Sequence, residues 1–434
     1  MEKFFKLKER GTSVRNEVIG GITTFLAMAY ILAVNPGMLG GTGMGFGPVF
    51  TATAISAAIA CLCMAFMANL PVALASGMGL NAFFTYTVVG GMGCSWQFAL
   101  TAVLIEGIVF ILLSLFGVRE AIINSIPATM KKAVAVGIGL FICLIGLTNA
   151  GITGGEKLVG TIIGFVNFDV SSALVAIIGL FITIALYVLN IPGAVLLGII
   201  ITTLIGIPFG VTTIPQDFKV FSLPEAPHFF AFEWSNVFTL KFFIVFFTFL
   251  FTDLFDTIGT LMGVTQQANL VDKEGNIPNV KGALMADAVG TVAGACLGTS
   301  TVTSYVESSA GVAAGARTGL ASVVTAGLFI VALFFTDLFA IIPSAATAPA
   351  LIFVGYLMMK PVMQIDFEDP TEGIPAFITI MTMPFAYSIS KGIALGVIAF
   401  VFCKIFGRKL KDIPVVTWVL GVIFVAYFIF EAVK

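Results

Sequence analysis

In the run FFTFLFTDLFDTIGTLMG (246–263), Asp253 and Asp256 stand three residues apart, about one helical turn, on one side of a phenylalanine-rich helix. An ionisable side chain at bilayer depth costs at least about 2.5 kcal/mol, so it must face a cavity or a partner. Two carboxylates this close in a low dielectric do not both ionise easily, so at least one holds a proton. That is the equipment of a proton-coupled site. A further carboxylate, Glu307, sits in TSTVTSYVESSAGVAA (299–314), a stretch of hydroxyls and small residues flanked by apolar runs. A matching stretch, VALASGMGLNAFFTYTVVGG (72–91), carries Asn81 beside Phe83 and Phe84, two rings placed where they could stack on a flat ligand. Glu106 reads as a hydrogen-bonding link between helices. Asp287 reads as a structural group stabilised near the start of its helix.

The elements that must position these groups are membrane helices. The chain has 434 residues, 59% hydrophobic and 10% charged, where soluble domains carry about 25% charged residues. At about 20 residues per span plus a connection, this length allows on the order of 14 spans and leaves no sizeable soluble domain. Apolar runs predict helices near 17–36, 48–69, 80–91, 96–117, 128–148, 171–189 and 193–211. A proline-bearing connection follows at 213–239, then helices near 240–264, 283–298, 301–314, 318–336, 339–359, 374–388 and 391–406. The run 413–431 has no counterpart: either it is an additional span or interfacial helix, or 374–406 is one broken element.

The third and tenth segments are the shortest and richest in Gly, Ser and Thr. Such composition suits backbone that leaves the helix at membrane depth to line a cavity. FALTAVLIEGIVFILLSLF (98–116) aligns with TGLASVVTAGLFIVALFF (318–335), Gly107 opposite Gly327, and an odd number of spans per half makes such a repeat inverted. Lys3, Lys6, Lys8, Arg10 and Arg15 precede the first span. Arg119, Lys131, Lys132, Lys273, Lys281, Arg317, Lys360, Lys404, Arg408, Lys409 and Lys411 follow even-numbered ones, which predicts a cytoplasmic N-terminus. No cleaved signal peptide is expected. The six cysteines lack metal-ligand spacing, His228 lies in the 213–239 connection away from any ligand role, and no basic patch addresses nucleic acid.

The runs GGITTFLAMAYILAVNP (20–36), ASGMGLNAFF (75–84), FTDLFDTIGTL (251–261) and GTSTVTSYVESSAGVAAGARTGL (298–320) resemble those of the AzgA-like purine permeases, a branch of the nucleobase–cation symporters related to uracil and xanthine permeases. The likeness runs from about residue 12 to beyond 400. It implies an all-α polytopic fold of 14 transmembrane segments in two inverted seven-span repeats, with a small strand before the short spans 3 and 10. It also implies a core domain (1–127 and 240–337) and a gate domain (128–212 and 338–434), with 213–239 outside the cytoplasm. Carried over residue by residue, Asp253 and Glu307 fall on the acidic positions that bind the base, Asp256 on a supporting carboxylate, and Asn81 on a polar site of span 3. Ser308 stands where the xanthine and uracil branches have Asn, which favours purines.

The implied function is uptake of adenine, hypoxanthine or guanine across the cytoplasmic membrane. A proton would serve as coupling ion, no other cofactor is called for, and a homodimer is implied by resemblance alone. Alternatives are a xanthine, uracil or anion transporter of the same fold, or a channel. Three intramembrane carboxylates repel anions, and a channel would want a continuous polar lining. Neither an HExxH pattern nor a nucleophile with its base supports an enzyme.

Overall fold

The computed structural model describes residues 2–116, 127–153, 171–272 and 277–433. In chain order these form α1 (Glu2–Phe5), α2 (Val14–Met28), α3 (Ile31–Leu39), α4 (Phe46–Cys63), β1 (Leu74–Ser76), α5 (Met78–Ala82), α6 (Trp96–Leu115), α7 (Ala128–Asn149), α8 (Ser171–Val188), α9 (Ala194–Gly206) and α10 (Leu240–Gln267). Then come α11 (Val280–Leu297), β2 (Val302–Ser304), α12 (Ser308–Ala313), α13 (Gly319–Ala332), α14 (Thr336–Ala340), α15 (Ser344–Leu357), α16 (Pro370–Phe385), α17 (Ile389–Phe406) and α18 (Val415–Val433). Among the described residues ten helical segments are long and apolar enough to cross a membrane. Arg119, Lys273, Glu274 and Asn276 lie outside the described residues.

Two boundaries depart from the pattern read in the sequence. The helix expected over 339–359 begins at Ser344 as α15 and ends at Leu357, while α14 continues the preceding helical segment to Ala340; Pro343 between them has no N–H to donate and restricts the residue before it. Segment 374–406 is two helices, with Ser388 at the start of α17 accepting from the Lys391 amide at 3.3 Å, and the last apolar run is a separate helix, α18.

The chain forms two compact units, Met1–Leu112 with Ile145–Phe353 and Leu113–Leu144 with Val354–Lys434. In the first, β1 and β2 pair antiparallel, Leu74 opposite Ser304, Ala75 opposite Thr303 and Ser76 opposite Val302. Each strand leads into a short helix, α5 or α12, and α5 continues as a wider π-helical stretch, Phe83–Gly91. An antiparallel pair has a local two-fold axis, so the two strand-and-half-helix units are related by that axis where they meet. The 3.0 Å bond from the Ala73 amide to Ser308 Oγ and the 2.9 Å bond from the Gly77 amide to Thr301 O tie each half-helix entry to the opposite strand.

α2 lies against α12 and α13, and small residues permit the approach. A Cβ on Gly20 would stand 2.6 Å from the Ala316 Cβ and 2.9 Å from the Gly311 carbonyl oxygen. At the start of α2, Ser13 accepts from the Asn16 amide at 3.2 Å. One turn further the fully buried Glu17 accepts from the amides of Arg317 at 2.7 Å, Ala321 at 3.2 Å and Thr318 at 3.3 Å, closing the open N-terminus of α13.

The 213–239 connection crosses the ends of helices in this first unit. Phe221 stacks on Phe334 at 5.2 Å, His228 Nε2 lies 2.6 Å from the Met44 carbonyl, and the Phe230 amide donates to Cys296 O at 2.9 Å. His228 is therefore half-buried and engaged with backbone.

In the second unit, Ala133, Val136, Ile365, Ala376 and Ile380 form a core cluster. Lys404, 2% exposed, is buried on α17 and would be costly unpaired. Its ammonium donates to Glu372 Oε1 at 2.5 Å and Thr371 Oγ1 at 3.1 Å and lies 5.3 Å from the Phe400 ring centre.

Candidate substrate site

Glu307 is the N-cap residue of α12, yet its side chain makes no capping bond. It is half-buried, and its Oε1 accepts instead from the hydroxyl of Tyr30 at 2.6 Å. Tyr30 is 1% exposed and sits at the break between α2 and α3, where the chain tightens: the Leu32 amide donates to Ala29 O at 3.1 Å and the Ala33 amide to Tyr30 O at 3.0 Å. The phenol thus reaches from the α2–α3 break to the start of α12. Tyr305, two residues before Glu307, donates to Ser76 O at 2.5 Å and fixes the exit of β2 against β1.

α10 divides its two aspartates. Asp253 is fully buried, and Thr257 Oγ1 lies 3.2 Å from Asp253 Oδ1, 2.7 Å from Asp287 Oδ1 and 2.8 Å from Thr303 Oγ1. One hydroxyl therefore joins α10, α11 and β2. Asp256 is half-buried, its carboxylate makes no hydrogen bond among the described residues, and it interacts electrostatically with Glu307 and Asp287. Three residues on a helix turn about 300°, so the two carboxylates point about 60° apart. That difference directs Asp253 into the polar knot and leaves Asp256 on the side where Glu307 acts.

The other residues singled out in the sequence lie deeper. Asn81 is fully buried. Its Oδ1 accepts from Ser76 Oγ at 2.8 Å, and Ser76 continues to Thr299 at 3.2 Å. Asn35 Nδ2 then links Thr299, at 2.9 Å, to Thr53, at 2.8 Å. Phe83 and Phe84 are fully buried and pack edge-on against Phe249, with centroids 4.9 and 6.4 Å away. Ser308 is fully buried on the β1 backbone. Glu106 accepts from Thr301 Oγ1 at 2.8 Å, a link between helix and strand entry.

The structure therefore gathers Glu307 and Asp256 at the strand pair, sets Asp253 behind them, and uses Asn81, Phe83, Phe84 and Ser308 as the surrounding frame. Sequence reasoning missed Tyr30, Thr257, Tyr305 and Glu17. Tyr30 left a readable signal, a phenol inside the apolar run MAYILAVNP in a chain with seven tyrosines. Thr257 left none among so many threonines. A cluster of oxygen acceptors with hydroxyl donors, and with backbone turned out of helix on both sides, can hold a small polar solute and exchange protons with it.

The sequence model of the permease family matches residues 15–395. The chain belongs to that family, in its AzgA-like branch. The guanine/hypoxanthine permease PbuG of Bacillus subtilis is 45% identical over 442 residues, covering 99% of this chain and 100% of that protein. The adenine permease AdeQ of Escherichia coli is 42% identical over 432 residues, covering 98% and 95%. This permease is not an enzyme. Among solved structures, the transmembrane domain of a cyanobacterium bicarbonate transporter, BicA, superposes with a TM-score of 0.67 at 16% identity, covering 88% of this chain and 97% of that one. SLC26A9 superposes at 0.61 with 12% identity, covering 91% and 66%. At such identities the likeness concerns fold alone: a polytopic helical membrane protein of the kind those transporters share.

Proposed function

We propose that this permease carries a purine base, among adenine, hypoxanthine and guanine, together with protons across the cytoplasmic membrane. The observation that carries the reading is the pair of half-buried carboxylates, Glu307 at the mouth of α12 and Asp256 on α10, beside a strand pair that opens two half-helices. Purine edges present N–H donors beside ring-nitrogen acceptors. The carboxylates accept from the donors, and hydroxyl groups are available to the acceptors. Kinship with PbuG and AdeQ supports the same substrate class.

In this reading Glu307 and Asp256 meet the base. Asp253, with Thr257 and Asp287, holds the α10–α11–β2 junction on which Asp256 is carried, while Asn81, Ser308, Phe83 and Phe84 fix the half-helices. Fourteen spans in two inverted halves, an N-terminus in the cytoplasm, and a core (1–127 and 240–337) working against a gate (128–212 and 338–434) complete the alternating-access mechanism. The antiparallel, two-fold relation of β1 and β2 supports the inverted repeat. Association as a homodimer belongs to the same proposal. Competition of unlabelled bases against uptake of labelled hypoxanthine tests it. Adenine, guanine and hypoxanthine are expected to compete and sulfate or bicarbonate not to; competition by the anions alone would overturn the reading.

A further inference from the structure

We propose that Thr252 is a further base-contacting residue, its hydroxyl donating to ring nitrogen N3 of the purine while Asp256, on the same face of α10, accepts from the adjacent N9–H. The inference rests on the reading that Asp256 meets the base. Its ground is a buried hydroxyl that the protein itself does not engage: Thr252 is 1% exposed, and its Oγ1 has no hydrogen-bond partner among the described residues.

α10 shows what a threonine hydroxyl ordinarily does in a helix. Thr248 and Thr265 turn theirs back on the carbonyls of Ile244, at 2.8 Å, and Leu261, at 2.6 Å, each four residues earlier. Thr257 gives its hydroxyl to the knot with Asp253, Asp287 and Thr303. Thr252 does neither. Four residues turn a helix by about 400°, so Thr252 stands about 40° from Asp256, while Asp253 lies about 100° and Thr257 about 140° from it. Phe249, Thr252 and Asp256 thus form an i, i+3, i+7 stripe, with Thr252 on the flank of Asp256 away from the knot. Phe249, at the head of that stripe, packs on Phe83 and Phe84. Other buried hydroxyls lack partners among the described residues, but none of them shares a helix with Asp256 or Glu307. A buried donor is penalised until an acceptor is supplied, and a solute held at Asp256, one turn along, supplies it.

Adenine, guanine and hypoxanthine differ at C2 and C6, and N1 is an acceptor in adenine but carries hydrogen in the other two. On another edge all three are alike: N3 is an acceptor, and in the N9–H form a donor stands beside it. Residues four apart on a helix are neighbours, with about 5–6 Å between Cβ atoms, close enough for both to reach one edge of a ring system. Asp256 takes the N–H, and Thr252 donates to N3. The edge that varies is left to Glu307. Thr252 therefore adds affinity for every one of these bases and does not choose among them.

Inhibition constants for hypoxanthine and 3-deazahypoxanthine, which keeps N9–H but has C–H in place of N3, test the proposal against labelled hypoxanthine uptake by the intact permease. In the unaltered protein the 3-deaza compound should bind about tenfold more weakly; equal binding would overturn the proposal without any variant. Thr252→Val is nearly isosteric and lacks the hydroxyl. It should weaken hypoxanthine about tenfold and leave the 3-deaza compound unchanged, so that the preference disappears. Thr252→Ser retains the hydroxyl and should retain the preference. A Thr252→Val protein that loses both compounds equally would show a packing role and overturn the assignment. Asp256→Asn separates the two levels. If it leaves both constants as they were, the reading of Asp256 fails and this proposal with it; if it weakens both while the preference for hypoxanthine survives Thr252→Val, Thr252 alone is misassigned.

Discussion

At the scale of single residues, the division of labour between Asp253 and Asp256 follows from their surroundings. Asp256 is half-buried beside Glu307, so Asp256→Asn should remove base binding while leaving the melting temperature of the detergent-solubilised protein near that of the parent. Thr257 is different, because its one hydroxyl touches Asp253, Asp287 and Thr303. Thr257→Val keeps the shape and removes the hydroxyl shared by the three, at roughly 1.5–3 kcal/mol for the one hydrogen bond it can donate to a carboxyl. A fall in thermal stability that precedes any change in base selectivity is the expected result. The three-residue spacing of the aspartates is enough to put both on one side of the helix. It does not determine which one the packing of α11 and β2 claims, because a 60° rotation is decided by neighbours some 30 to 50 residues away. Glu307 was legible for the opposite reason: a carboxylate among hydroxyls and glycines at membrane depth is costly unless it serves a solute or a partner.

At the scale of elements, the first span is the backing of the half-helix that carries Glu307. Gly20→Ala would set a methyl 2.6 Å from Ala316, pushing α2 from α12 at a cost of about 1–3 kcal/mol. Base affinity and thermal stability should fall together in that variant, unlike Asp256→Asn. The α16–α17 hairpin offers a pH test outside the membrane segments. The Lys409 ammonium, 2.6 Å from Asp369 Oδ2, and the Thr371 amide hold the Asp369 carboxyl below the usual carboxylate range, and the same pair raises Lys409. The stability that Asp369 contributes is present above about pH 3.9, its unfolded value, and is lost as pH falls through its lower folded value. Comparing melting temperatures of the parent and Asp369→Asn should therefore show a difference near neutrality that disappears in acid and shrinks with salt. The half-helices were readable from Gly, Ser and Thr content. The path of the 213–239 connection was not, because Phe221 on Phe334 and His228 on Met44 are contacts between distant stretches without periodic signature.

At the scale of the whole molecule, the proposed seven spans before the 213–239 connection would put that connection outside and the end of α10 in the cytoplasm. Ser222 is engaged with Phe334 and Asp337, so Leu223, 80% exposed, is the better outer reporter, and the exposed Asn269 the inner one. Single cysteines there, in a background lacking the six native thiols, should label from opposite sides of intact cells with an impermeant reagent; labelling from one side would contradict the seven-plus-seven arrangement. The measurement that reaches furthest uses the purified permease in liposomes with an alkaline interior and labelled hypoxanthine outside. The label should accumulate above its external concentration, collapse to equilibrium when a protonophore is added, and fail to accumulate with Glu307→Gln. A label that only equilibrates, or accumulates undiminished by the protonophore, would contradict proton-coupled transport through a carboxylate site.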